Sequence, residues 1–109
     1  MADPDVCELC ITAPDAEWLA GFTKALLDQR LCACGHLSAP IRSLYRWEGR
    51  LYDETEARVA LHTRTALVPE ILKRTTAEHP YSEPAVFVLP IEGGSRSYLQ
   101  WIRDETGPR

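Results

Sequence analysis

Between Glu56 and Arg64 the chain alternates. Ala57, Val59, Leu61 and Thr63 stand against Glu56, Arg58, His62 and Arg64, with Ala60 the one break on the polar side. A period of two is that of a β-strand with one face on a core and the other turned away. The apolar-rich stretch Ile41–Trp47 precedes it, and Glu48-Gly49-Arg50 between them reads as a turn, glycine supplying the permissive backbone. The centre of the chain is therefore a β-hairpin, and the rest must provide what covers its apolar side.

Val6 to Thr12, mostly apolar and rich in strand formers, reads as a buried first strand, and Asp15 as the N-cap of the helix after it. Leu19, Phe22, Leu26 and Leu27 share one stripe of that helix, with Arg30 in its last turn. Leu31–Leu37 reads as the second strand, bent or bulged at Ser38-Ala39-Pro40 before Ile41–Trp47, because proline cannot donate to a ladder. A second helix is expected from about residue 66 to 78, with Val68, Ile71, Leu72 and Thr75 inward and Pro69 tolerated in the first turn. After a loop at 79–84, Val86–Leu89 reads as a compact buried strand, and Tyr98, Leu99 and Ile102 as a short closing helix before a polar tail at 104–109. The order β-α-β-β-α-β predicts an α+β, ferredoxin-like sandwich: two helices on one face of an antiparallel sheet. Such a sheet has a second face with no helices of its own. Here that face carries Glu56, Arg58, His62 and Arg64 beside Leu44 and Tyr45 or Trp47, a mixture that suits an oligomer interface.

At 109 residues the chain is expected to be one domain spanning 1–109, with its core at about 6–103. A net charge of −4 disfavours nucleic acid, which demands a basic surface, and equally an anionic membrane. No apolar run approaches the roughly 20 residues of a bilayer-spanning helix. Met1-Ala2-Asp3-Pro4-Asp5 has neither the positive charge nor the following apolar block of a signal peptide, so a cytoplasmic location is expected.

The four cysteines all fall within the first 34 residues. Cys7 and Cys10, three apart on a strand, point to opposite faces and cannot grip one ion together. Cys32, Cys34 and His36 alternate along a strand and share a face. They read either as a thiolate–imidazole set suited to copper or zinc, or as small core-facing residues beside a histidine. His79, in a loop with Glu78 and Glu83 near it, reads as a cation ligand, an acid–base group or a helix C-cap. His62, on the polar strand face, reads as an interface hydrogen-bonder. No G-x-S-x-G, P-loop, G-x-G-x-x-G or H-E-x-x-H is present and no nucleophile–base pair is legible, so an enzyme is not expected.

Several motifs in order — Thr12-Ala13-Pro14-Asp15, Leu31-Cys32-Ala33-Cys34, Ser43 to Gly49, His62-Thr63-Arg64-Thr65, His79-Pro80-Tyr81, Val88 to Ile91 and Tyr98-Leu99-Gln100-Trp101 — resemble the CutA divalent-cation tolerance proteins over roughly residues 6–103. The resemblance implies a homotrimer similar in architecture to the PII signalling proteins, with the hairpin tip at subunit contacts. It implies a role in tolerance of copper or another divalent ion by binding rather than catalysis. In copper-binding members a cysteine directly precedes Thr-Ala-Pro-Asp, and a histidine can precede His-Pro-Tyr; here Ile11 and Glu78 stand at those places, while Cys34 and His79 are retained. The metal site expected on this basis uses His79, Cys34, Glu78 and Glu83, and the interface Tyr45, Trp47, Glu48 and His62. A PII-like small-molecule sensor or protein-interaction scaffold is the alternative, its protein partner unknown.

Overall fold

The computed structural model describes residues 5–107. Its elements are β1 (Val6–Ala13), α1 (Ala16–Asp28), β2 (Cys34–Trp47), β3 (Arg50–Arg64), a 3-10 turn (Thr65–Leu67), α2 (Val68–Glu78), β4 (Val86–Pro90) and α3 (Arg96–Glu105). The strands form one antiparallel sheet in the order β2-β3-β1-β4, the split β-α-β arrangement expected. Alternation decides which side each residue faces. Leu9, Ile11 and Ala13 of β1 and Ala57, Val59 and Leu61 of β3 are buried against Leu19, Phe22 and Leu26 of α1 and Ile71 of α2. Asp15 caps α1 as expected, its carboxylate accepting from the Glu17 N–H. Among the described residues no helix is long and apolar enough to cross a membrane.

The hairpin turns at Glu48-Gly49, both at positive φ, as a two-residue turn matched to strand twist requires. β2 begins later than expected, at Cys34, and runs unbroken to Trp47 except for a register shift between Ser38 and Ile41, at the anticipated bulge. Inside β2, Gly35 is a close-approach position. A β-carbon there would lie 2.6 Å from Thr23 Cγ2 of α1, so a side chain would push the helix off the sheet.

Several expectations are corrected. The second face is not bare: α3 packs across one end of it, bringing Tyr98 to His62 and Thr106 to Arg64, the residues that alternate with the buried Leu61 and Thr63. Residues 104–107 are therefore not a tail. Thr106 is buried and accepts from Arg64 Nε at 3.0 Å, and the Gly107 N–H donates to Arg30 O at 2.8 Å. Residues 108–109 lie outside the described ones. Arg30 is past the end of α1, at φ +60°, and its guanidinium donates to the Asp104 and Gly107 carbonyls, so its charge serves the C-terminus of α3 instead. Leu72 is exposed on α2. Glu56 is buried, because Tyr81 reaches over from the loop and donates to it at 3.0 Å. β4 is no buried strand; it forms the sheet edge, and its Phe87, Val88 and Leu89 are exposed in the single subunit.

Candidate metal centre

Cys34 and His36 are two apart on β2 and share a face. The β2–β3 register sets Cys34 opposite His62 and His36 opposite Ala60, whose small side chain crowds neither imidazole. On the far side of β3, Glu8 of β1 pairs with His62. Cys34, His62 and Glu8 thus form one row across three strands, with His36 beside it. The two imidazole rings meet edge-on with centroids 5.3 Å apart. One ligand atom each from Cys34, His36 and His62 lies within 4.8 Å of the others. Ligands of one tetrahedral ion sit on the order of 3.5 Å apart, so small side-chain rotations close the set. A thiol and two imidazoles suit copper or zinc and not magnesium or calcium.

The surroundings of His62 complete the arrangement. Glu8 Oε1 lies 3.2 Å from its Nε2, as in the carboxylate–histidine pairs that orient metal ligands. Tyr98 of α3 brings its hydroxyl to 2.5 Å from Nδ1 and 3.4 Å from Cys34 Sγ. Burial, then the Cys34 thiol and the Glu8 charge, push the Tyr98 phenol up to about 12, so it stays protonated as a donor. Cys34 is half-buried and His36 exposed, which leaves the set open to solvent on one side.

The expected four-residue site does not converge within the subunit. Cys34 belongs to the row above. His79 closes α2 and is held four residues along β1 from that row, about 13 Å at strand rise. Its Nδ1 accepts from the Tyr81 N–H at 3.0 Å, so Nε2 carries the proton and donates to Thr12 O at 2.7 Å. Both ring nitrogens are spent inside the protein, and the ring packs edge-on against Trp18. It ties the 79–84 loop to β1. Glu78 pairs with Arg74 one turn back on α2, and Glu83 is exposed. Of the expected interface residues, Tyr45 stacks on Tyr52 in the hairpin and Trp47 and Glu48 are exposed at its end, whereas His62 is the third member of the cluster.

The other cysteines are shielded. Burial raises the Cys7 thiol and pushes that of Cys32 up to about 12, and buried Cys10 accepts from Arg58 at 3.4 Å. Iodoacetamide at mildly alkaline pH is therefore expected to label Cys34 first, and the other three only on unfolding, as peptide mass spectrometry would read.

A family model described as CutA1 divalent ion tolerance protein matches residues 7–105. The chain is 38% identical over 97 residues to the divalent-cation tolerance protein CutA of Thermus thermophilus, covering 89% of this chain and 94% of that protein. It is 35% identical over 105 residues to the protein of the same name from Pectobacterium atrosepticum, covering 94% and 96%. Among solved structures, the divalent cation tolerance protein of Thermus thermophilus superposes with a TM-score of 0.90 at 36% identity, covering 94% of this chain and 99% of that one. The stable protein CutA1 of a psychrotrophic Shewanella superposes at 0.93 with 29% identity, covering 98% and 100%.

Proposed function

The chain belongs to the CutA1 divalent ion tolerance family, and from that premise we propose that it is a non-enzymatic homotrimer that binds a thiophilic divalent metal, copper foremost, through Cys34, His36 and His62. One observation carries the reading: the bulge-shifted register brings a thiol and two imidazoles within 4.8 Å, with a carboxylate behind one of them. Metal affinity in such a set rests on ligand count and on the groups that hold each ligand in place; here three ligands come from paired strands and the Glu8 carboxylate holds His62.

The trimer draws support from what a lone subunit leaves uncovered. Leu44 and Leu51 of the projecting hairpin are 69% and 75% exposed, and the edge strand β4 presents Phe87, Val88 and Leu89. Apolar surface on an unpaired strand edge is a docking surface or an aggregation hazard. Three copies is the number the family resemblance implies. The free thiols suit a reducing compartment, and we place the protein in the cytoplasm on that ground.

Anaerobic titration of the reduced protein with divalent copper, buffered by a competing chelator, with light scattering alongside, tests this. One ion per subunit on a three-subunit particle is expected; absence of saturable binding contradicts it. The sensor alternative draws on a cleft of about 680 Å³ walled by Tyr45, Trp47, Tyr52 and Tyr81 with Glu56 at its side. Thermal stabilisation of metal-free protein by nucleotides or small anions would favour it.

A further inference from the structure

The hydrogen-bond chain through the cluster has a direction. A carboxylate only accepts, so the Glu8 side of His62 holds the ring proton on Nε2, and the neutral imidazole keeps one lone pair, on Nδ1. That lone pair faces the Tyr98 hydroxyl at 2.5 Å, and the phenol oxygen in turn lies against Cys34 Sγ at 3.4 Å, within reach of the thiol proton. The chain therefore runs from Cys34 through Tyr98 and His62 to Glu8, and it occupies the same donor atoms that a metal would use.

Resting on the metal-binding reading, we propose that Tyr98 guards the site: its hydroxyl fills the Nδ1 lone pair of His62 and blocks Cys34, so an ion binds only by displacing it. The guard is selective. Zinc and copper form bonds to imidazole and thiolate strong enough to replace the hydroxyl, whereas magnesium and calcium, which prefer oxygen, do not. It also links occupancy to α3. Ser95 caps that helix by accepting from the Tyr98 N–H at 3.4 Å, and the Tyr98 ring stacks on Trp101 with centroids 5.7 Å apart. Displacement of the phenol changes the environment of Trp101.

Zinc titration of the full chain, against a competing chromophoric chelator, tests this with Tyr98→Phe, which keeps the ring and removes only the hydroxyl. The variant is expected to bind zinc about fivefold more tightly, the worth of one ordinary hydrogen bond. Zinc is also expected to shift tryptophan emission in the unaltered protein, a change lost in Trp101→Phe. Equal affinity in the two proteins overturns the guard role and leaves the metal site standing. Weaker binding by Tyr98→Phe overturns it too, because the phenol is then a ligand. Zinc that binds neither protein removes the metal reading and this one with it.

Discussion

His62→Ala is expected to weaken zinc or copper binding by roughly 100-fold or more, with little change in melting temperature. Loss of a group that merely hydrogen-bonds a metal ligand commonly costs about 10–100-fold in metal affinity, and loss of a ligand costs at least as much. Two ligands from neighbouring positions on β2 remain, but a thiol and one imidazole leave half of a tetrahedral ion to water. Stability is largely spared because the partly exposed Glu8 carboxylate can turn to water, while the Tyr98 hydroxyl keeps Cys34 Sγ as a partner at 3.4 Å. Cys34→Ser and His36→Ala are expected to behave alike, and competition titration beside thermal melts reads all three. Unchanged affinity in the His62 variant would place the ion elsewhere.

His79→Ala is expected to do the opposite. It deletes the side chain that joins the 79–84 loop to β1, leaving Thr12 O and the Tyr81 N–H without their present partners and opening space beside Trp18. An unsatisfied buried polar group costs about 1–3 kcal/mol, and partial access of water to the loop lowers the sum, so a loss of about 2–3 kcal/mol is expected. Urea unfolding reads it as a lower midpoint, with zinc affinity unaltered. A folded, equally stable His79→Ala protein that no longer binds metal would restore the site expected from the sequence.

The two histidines show how far the residues alone lead. Strand identity at 57–63 was legible from alternation, and so was the inward set Ala57, Val59, Leu61 and Thr63, because period two leaves no second choice. The pair Cys34 and His36 was legible as a shared face. Its third partner was not. An unbroken ladder counted back from the Glu48-Gly49 turn sets Cys34 opposite Thr63, a core residue; the shift between Ser38 and Ile41 brings His62 there instead. Pro40 announced an irregularity, but one residue of register decides which face meets which, and proline does not specify that amount. His79 was legible as the residue that closes α2, one of the readings its position offers, but its side-chain partners were not. Its neighbours in sequence, Glu78 and Glu83, are acidic, yet its neighbours in space are a carbonyl and an amide. α3 was legible as a helix from Tyr98, Leu99 and Ile102. That it crosses the second face of the sheet, and so delivers Tyr98 to His62, depends on the contacts of Thr106 and Gly107 with Arg64 and Arg30, which pair residues far apart in the chain.

X-ray absorption of the zinc-loaded protein at the metal edge tests the central claim most directly, because it counts ligand types without reference to any mutation. One sulfur near 2.3 Å and two imidazole nitrogens near 2.0–2.1 Å are the expected shell. A shell of nitrogen and oxygen alone, with no sulfur, would contradict the assignment of Cys34, His36 and His62 as the metal centre.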